Sequence, residues 1–258
     1  MKVVIFAGGL GTRIAEETGS RPKPMVEIGG KPILWHILKM YSHYGFNEFI
    51  ICLGYKGYVI KEYFMNYFLH NADFTIDIAK NEVEFHSRTK EDFKITLVDT
   101  GLETKTAGRL KAVKEYIGNQ DFMLTYGDGL SDINLQELLA FHNSHGKLAT
   151  VTAVQLEARF GGMDLSKDDE VLAFREKAKD ETKWINAGFF VLKPQVFDLL
   201  EGDMKNTMWE DDPLEKLTNR GELQAFRHIG FWKCMDALRD KIEFEELWET
   251  GNAKWKKW

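Results

Sequence analysis

Residues 3–13 read VVIFAGGLGTR and contain the transition that decides the fold. The run from Val3 to Ala7 has the length and β-branched content of a buried strand, and three glycines follow it within four residues. The next segment, Thr12 to about Glu17, reads as a helix. A glycine turn between a strand and a helix presents backbone N–H groups that suit a phosphate. The stretch therefore predicts an α/β fold with an anion site at the carboxyl end of its first strand.

Two cationic side chains accompany this glycine turn. Arg13 ends the motif, and Lys23 lies in the segment RPKPM at 21–25. Arginine offers a planar fork of donors and lysine a point charge, and both bind phosphates. The dinucleotide pattern G-x-G-x-x-G would start at Gly9 but meets Ile14 at its third glycine, and the Gly-Lys-Ser/Thr of a P-loop is missing. A plain tight turn remains the alternative for the glycines alone, whereas the cations favour a phosphate site.

The composition is that of an acidic globular chain. Its 258 residues are 44% apolar and carry a formal net charge of −6, which is enough for one large domain and argues against nucleic-acid binding. No apolar run approaches the roughly 20 residues of a membrane span, and Met1 leads directly into the first strand, so we expect a cytoplasmic protein. Cys52 and Cys234 lack metal-site spacing and are expected to be reduced thiols.

Strand-like and helix-like segments alternate along the chain, which predicts a parallel sheet with right-handed crossovers. The expected helices are Pro32–Tyr44, Tyr58–Phe68, Gly108–Tyr116, Asn134–His145 and Trp209–Arg220, and the expected strands include Phe49–Leu53, Asp121–Tyr126, Ala149–Gln155, Trp184–Leu192 and Leu223–His228. The polar stretch 84–92 is expected to be a surface loop or hairpin, and the tail 253–258 a packed arm or subunit contact. We expect a single domain, with a nucleotide-binding half at about 1–130 and a sugar-binding, metal-completing half at about 131–258.

A carboxylate between two glycines follows the strand that ends at Tyr126. Gly127-Asp128-Gly129 would lie where open α/β sheets bind ligands, and an Asp oxygen is a hard ligand of the kind Mg²⁺ prefers. A plain turn is the alternative for this tripeptide in isolation. Its expected place beside the glycine loop favours the functional interpretation.

Two motifs together resemble a known family. AGGLGTR at 7–13 and KPMVEIGGKPIL at 23–34 resemble the sugar-phosphate nucleotidylyltransferases, and later segments extend the resemblance over essentially the whole chain. The resemblance implies an α/β, Rossmann-like mixed, mostly parallel sheet flanked by helices, the nucleotide-diphospho-sugar transferase fold. It also implies a homo-oligomer, often a hexamer. One departure is Ala178, which follows Lys177 where the family has a proline.

The resemblance implies the following site residues. The catalytic residues are Arg13, Lys23 and Asp128, and the ligands of Mg²⁺ are Asp128 and Asp236. The nucleotide-binding residues are Phe6, Ala7, Gly8, Gly9, Leu10, Gly11, Thr12, Arg13, Lys23, Thr104, Thr106, Gly108, Arg109 and Gly127. The sugar-phosphate-binding residues are Arg159, Gly161, Glu176, Lys177, Trp184 and Asn186. From spacing alone, residues 104–109 could equally form a Thr-rich turn with local hydroxyl bonds, and Asp236 could cap the helix that starts near it.

These groups fit a reaction that needs no general base. A sugar phosphate is already an anion at neutral pH, so the difficulty is to bring two anions together, which cations and Mg²⁺ relieve. By resemblance we expect transfer of CMP from CTP to glucose 1-phosphate, giving CDP-glucose for deoxysugar synthesis. Alternatives are another sugar 1-phosphate or pyrimidine nucleotide, a catalytically silent nucleotide-binding homologue, and a nicotinamide dehydrogenase, which Ile14 disfavours.

Overall fold

The computed structural model describes residues 1–87, 91–155, 162–165, 170–175 and 183–258. The strands are β1 (Lys2–Ala7), β2 (Glu27–Ile28), β3 (Lys31–Pro32), β4 (Glu48–Leu53), β5 (Phe74–Asp77), β6 (Glu82–Phe85), β7 (Lys94–Asp99), β8 (Phe122–Tyr126), β9 (Gly129–Ser131), β10 (Ala149–Gln155), β11 (Gly162–Leu165), β12 (Val171–Arg175), β13 (Trp184–Leu192), β14 (Leu223–His228) and β15 (Trp232–Cys234). The helices are α1 (Ala15–Thr18), α2 (Ile33–His43), α3 (Gly57–Met65), α4 (Tyr67–Asn71), α5 (Thr106–Ala112), α6 (Lys114–Ile117), α7 (Leu135–His145), α8 (Asp212–Asn219) and α9 (Leu238–Glu249). Short 3₁₀ turns cover Thr12–Ile14, Lys23–Met25 and Pro194–Leu199.

The central sheet has seven strands in the order β14-β10-β13-β8-β1-β4-β7. β1 pairs in parallel with β4 and β8, β4 with β7, and β10 with β14. β13 runs antiparallel to both of its neighbours, β8 and β10. The sheet is therefore mixed and mostly parallel, which confirms the fold class expected from the sequence.

Both faces of the sheet are buried beneath helices. Successive side chains of β1 alternate between two apolar clusters: Val3 and Ile5 face the cluster that includes residues of α2, and Val4 and Phe6 face the one that includes residues of α5. A parallel strand that is covered on both faces has a continuously apolar sequence, and β1 has such a sequence. The carboxyl ends of β1, β4, β7 and β8 consequently meet at one edge of the sheet.

Three strands predicted from the sequence, at 149–155, 184–192 and 223–228, have the expected bounds. The predicted helix 58–68 is divided at Asn66, whose side-chain amide donates to the Glu62 carbonyl at 2.9 Å. The helix predicted from Trp209 begins at Asp212, with Pro213 tolerated in its first turn as expected. The helix expected from Gly108 begins at Thr106, so the prediction of a turn over 104–109 was wrong from Thr106 onward.

The hairpin near the polar stretch lies earlier than expected. β5 and β6 form it at 74–85, while residues 88–90 lie outside the described residues. The C-terminal tail is a packed arm, because Trp255 is fully buried and its ring lies 5.3 Å from Phe244. Cys52 and Cys234 are free thiols, as expected. Among the helices of the described ranges, none combines the length and apolar character that a bilayer crossing requires.

Candidate active site

A cavity of about 480 Å³ opens at the carboxyl edge of the sheet, above the glycine loop. The predicted nucleotide-binding residues line it, with the exception of Gly108. Gly11 has φ +64°, a left-handed conformation that favours glycine, and leads into the 3₁₀ turn Thr12–Ile14. The helix predicted from Thr12 is therefore this 3₁₀ turn followed by the four residues of α1. A helix this short has a small dipole, which contributes little to anion binding. The cavity depends on exposed loop backbone and on nearby cations.

Arg109, in α5, supports the glycine loop through hydrogen bonds. Its guanidinium is buried and donates at 2.7–3.3 Å to five acceptors: the carbonyl oxygens of Gly8, Leu53, Gly101 and Leu102 and the hydroxyl of Thr100. A Cβ atom on Gly8 would lie 2.2 Å from an Arg109 nitrogen, so residue 8 must be glycine for this approach. Since these bonds occupy its terminal N–H groups, Arg109 fixes the ends of β1, β4 and β7 relative to one another.

Lys23 is the centre of a four-group charge cluster, which consists of Arg13, Lys23, Asp128 and Asp236. Pro22 is extended and Lys23 begins the 3₁₀ turn, which directs its side chain toward the carboxyl end of β8. Its ammonium donates to Asp128 at 2.6 Å and to Asp236 at 2.8 Å, and only 12% of the side chain is exposed. Burial lowers the pKa of Lys23, but the charges and hydrogen bonds of the two carboxylates outweigh burial and leave the pKa above its ordinary value.

Arg13 completes the cluster from the solvent side. Its guanidinium donates to the second oxygen of Asp236 at 2.8 Å, although 77% of its side chain is exposed. Burial raises the pKa of Asp236, but hydrogen bonding and charge from Lys23 and charge from Arg13 outweigh it and lower that pKa. Two cations and two carboxylates thus neutralise one another across the mouth of the cavity.

A short antiparallel ladder brings the two carboxylates together from opposite halves of the chain. β15 pairs with β9, so that Cys234 lies opposite Gly129, and the Met235 N–H donates to the Asp128 carbonyl at 2.8 Å. Asp236 follows one residue later. The sequence alternative in which Asp236 caps the next helix is wrong, because Ala237 is the N-cap of α9 and the Asp240 carboxylate accepts the free N–H groups there.

Two residues that line the cavity, Thr106 of α5 and Tyr126, are joined by a carboxylate that sequence reasoning missed. Thr106 donates to Glu210 at 2.6 Å and accepts from the Trp209 N–H at 2.7 Å. The Tyr126 hydroxyl donates to the other oxygen of Glu210. Burial and the charge of Glu210 raise the pKa of Tyr126. In the sequence, the one hint that Glu210 bonds Thr106 and Tyr126 is its position next to Trp209, in a polar segment before a helix. That hint is weak.

Three further predicted residues in the described ranges, Gly108, Asn186 and Trp184, are not among the residues that line the cavity. Gly108 faces the segment 204–205, where a Cβ atom would lie 2.8 Å from the Met204 carbonyl oxygen. Asn186 hydrogen-bonds the Tyr126 hydroxyl, which places it next to the cavity wall. Trp184 is 38% exposed and stacks on the Arg227 guanidinium at 5.3 Å. Arg159, Gly161, Glu176 and Lys177 lie outside the described residues.

The donor set of the cluster fits a hard divalent cation that is shared with a substrate. In the described part of the chain, no group of three or more His, Cys, Asp or Glu side chains could hold a metal alone. Asp128 and Asp236 nevertheless converge on one point, the Lys23 ammonium. Mg²⁺ typically takes one or two protein carboxylates and completes its shell with water and phosphate oxygens. The pair therefore suits a metal that arrives with a nucleotide.

Comparison with known proteins identifies the family. Residues 2–237 match the family model described as nucleotidyl transferase. The chain belongs to the nucleotidyl transferase family. Members of this family act on nucleoside triphosphates and sugar 1-phosphates and generally use a divalent metal ion.

Individual relatives of this nucleotidyl transferase are similar along their whole length. A glucose-1-phosphate cytidylyltransferase of Salmonella typhimurium is 55% identical over 259 residues, covering 100% of both chains. A probable glucose-1-phosphate cytidylyltransferase of Bacillus subtilis is 47% identical over 258 residues with the same coverage. Among solved structures, a putative glucose-1-phosphate thymidylyltransferase from Bacillus anthracis superposes with a TM-score of 0.70 at 17% identity, covering 96% of this chain and 94% of that one. That last likeness establishes the shared fold.

Proposed function

We propose that the protein transfers CMP from CTP to α-D-glucose 1-phosphate, giving CDP-glucose and pyrophosphate. The observation that carries this proposal is the convergence of Arg13, Lys23, Asp128 and Asp236 at the mouth of a glycine-loop cavity. The full-length relatives named for this activity, at 55% and 47% identity, support CTP and glucose 1-phosphate as the substrates. The product would feed the synthesis of CDP-linked deoxysugars for surface polysaccharide. We place the reaction in the cytoplasm, where nucleoside triphosphates are available.

The step is an in-line displacement at phosphorus. A phosphate oxygen of the sugar phosphate forms a bond to the α-phosphorus of CTP, and the bond from that phosphorus to the bridging oxygen of pyrophosphate breaks. The attacking oxygen is already anionic, so no side chain accepts a proton. Catalysis then consists of holding two anions in line and stabilising the charge that moves to the leaving group.

The cations of the cluster supply this stabilisation. Lys23, at the centre, would bridge the α-phosphate and the sugar phosphate, while exposed Arg13 would hold the leaving pyrophosphate. Lys177, expected to hold the sugar phosphate, lies outside the described residues. Asp128 and Asp236 would hold Mg²⁺, which when bound neutralises phosphate charge.

The nucleotide would lie along the glycine loop. The backbone of residues 8–12 offers N–H groups to the phosphates, and Gly127 would lie near the ribose. Thr104 lines the cavity and would lie near the base, while Thr106 is bonded to Glu210 and retains only acceptor capacity, which suits the exocyclic amine of cytosine. Arg109 would act on nucleotide binding by fixing the Gly8 carbonyl rather than by contact.

The test is pyrophosphate release by the purified chain with each nucleoside triphosphate and a panel of sugar 1-phosphates. We expect release only with CTP and glucose 1-phosphate together, in the presence of Mg²⁺. Pyrophosphate release with another nucleotide and sugar 1-phosphate would change the proposed substrates but support the proposed type of reaction. CTP binding without any release would indicate the silent homologue, and a change in nicotinamide absorbance would indicate a dehydrogenase.

We further propose that the chain is a homo-oligomer, with a hexamer as the expected form. Apolar side chains project from the β5–β6 region and from α3 and α4: Ile78 is 83% exposed and Met65 is 79% exposed. A two-stranded hairpin is marginal alone in water, and clustered exposed apolar residues mark interaction surfaces. Light scattering after gel filtration should give a multiple of 29.8 kDa, reduced by Ile78→Asp. A monomeric mass for the unaltered chain would contradict this.

A further inference from the structure

Asp236 is positioned less directly than its partner carboxylate. Asp128 directly precedes β9, whereas Asp236 lies two residues beyond the end of β15 and is separated from α9 by Ala237. The last ladder bond on this side is that from the Met235 N–H to the Asp128 carbonyl. The backbone of Asp236 itself therefore needs a separate support.

Asp240 provides that support from the first turn of α9. One of its oxygens accepts the N–H groups of Asp236 at 3.0 Å and of Ala237 at 2.8 Å. Its other oxygen lies 3.3 Å from the ammonium of Lys233, in β15, which also bonds Glu243 at 2.5 Å. Asp240 is 4% exposed. A single buried carboxylate thus ties the strand before Asp236 and the helix after it to the backbone of Asp236.

The bond from Ala237 is the ordinary contact of an N3 carboxylate with the N-cap N–H, whereas the bond from Asp236 reaches one residue further than a helix cap requires. In α7 the neutral, half-buried Asn134 accepts the N–H groups of Gln136 and Glu137, both inside the helix, at 3.0 and 3.2 Å. Asp240 instead accepts from the two residues that precede α9, one of which carries the candidate metal ligand. Asp240 keeps its ionised form despite burial because the Lys233 ammonium lies beside it.

We propose that Asp240 is a positioning residue, which orients the Asp236 carboxylate for the divalent metal. This inference rests on the proposed function, in which Asp236 holds that metal. Partners that orient metal ligands typically contribute 10- to 100-fold to metal affinity. Without Asp240, the backbone at 236 is free to rotate and the carboxylate remains paired with Arg13 and Lys23.

The test compares Asp240→Asn with a matched loss of a cap elsewhere, Asn134→Ala. Metal binding is measured with Mn²⁺ alone and with CTP, by water proton relaxation, and the Mg²⁺ concentration for half-maximal pyrophosphate release is measured in parallel. We expect Asp240→Asn to weaken Mn²⁺ binding roughly 10- to 100-fold and excess metal to restore activity. Asn134→Ala should lower the melting temperature with unchanged metal dependence. Lys233→Met, which keeps the two N–H bonds of Asp240, should give a smaller weakening in the same direction.

Two results would overturn the inference: Mn²⁺ binding by Asp240→Asn equal to that of the unaltered chain, or a loss of activity that excess metal does not restore. If Asp240→Asn does not fold, unchanged Mn²⁺ binding by Lys233→Met would overturn it. Absence of pyrophosphate release from the unaltered chain would refute the proposed function. The Mn²⁺ binding of the variants could still be compared, because that measurement does not depend on activity.

Discussion

The charge cluster predicts that removing a carboxylate from the active site will tighten nucleotide binding when no metal is present. In the ligand-free protein, the cations expected to hold phosphates are paired with carboxylates expected to hold a metal. A triphosphate without metal must break these pairs before it can bind. Asp236→Asn removes that competition, since among the residues that the structure describes it leaves Arg13 without a charged partner and Lys23 with only Asp128.

The size of the effect follows from the exposure of the two pairs. The Arg13–Asp236 pair is 77% and 39% exposed and contributes at most about 1 kcal/mol, reduced by salt. The Lys23–Asp236 pair is less exposed on the lysine side, but an asparagine oxygen would keep part of its hydrogen bond. Together these contacts amount to about 1–1.4 kcal/mol, which corresponds to roughly five- to tenfold tighter binding of metal-free CTP.

The assay is titration calorimetry of CTP in EDTA at low salt, repeated with Mg²⁺. The control is Asp132→Asn, which removes the same charge from a carboxylate paired with His228 rather than with the cluster. With Mg²⁺ the order should reverse, because Asp236→Asn also lacks a metal ligand. The reasoning is refuted if Asp236→Asn binds metal-free CTP no more tightly than Asp132→Asn does.

Three other predictions follow from contacts of individual side chains. Lys23→Ala and Asp128→Ala should each lower the turnover number for pyrophosphate release by a factor of about 10²–10³ with the fold retained by circular dichroism, and near-normal turnover in either would contradict its role. In Arg109→Lys the lysine ammonium cannot reach all five acceptors around residues 8, 53 and 100–102. The substitution should therefore lower the free energy of unfolding, measured in urea, by about 2–4 kcal/mol and raise KM for CTP. An unchanged free energy of unfolding would show that the guanidinium does not support the loop. Burial lowers the pKa of His36 from 6.5 to about 4, so the unfolded chain binds its proton first as pH falls. The free energy of unfolding should therefore be highest above pH 6.5 and fall by about 3 kcal/mol down to pH 4, and this part of the decline should be absent in His36→Gln.

The parts of the fold that the sequence predicted are those governed by local pattern. β10, β13 and β14 have alternating or continuous apolar residues that only a strand buries well, and their bounds were predicted correctly. The break at Asn66 depends on one side chain bonding the preceding helical turn, which competes weakly with helix propensity. Residues 104–109 were harder still, since small polar residues suit a turn, and the long-range bonds from Lys105 and Ala107 to the 205–207 segment favour the helix instead.

The candidate site was predictable in its residue types but not in its pairings. The motifs and the family resemblance together predicted Arg13, Lys23, Asp128 and Asp236 as site residues, yet spacing cannot reveal that Lys23 bonds two carboxylates 105 and 213 positions away. Arg109 was expected to bind the nucleotide, and its terminal donors bond four backbone carbonyls and the Thr100 hydroxyl, contacts that no local pattern encodes. Asp240 and Glu210 were missed because an acidic residue at the start of a helix is ordinary, and only tertiary contacts distinguish these two.

The ladder between β9 and β15 has a consequence for how the protein is made. Ser131 pairs with Trp232 and Gly129 with Cys234, so this contact closes only after residue 234 has left the ribosome. Until then Asp128 is the one carboxylate of the charge cluster that is present, and it faces two cations, Arg13 and Lys23. A polypeptide truncated before residue 236 would keep the glycine loop, Lys23 and Asp128 but could not complete the charge cluster, and it would also lack the core residues Phe244 and Trp255.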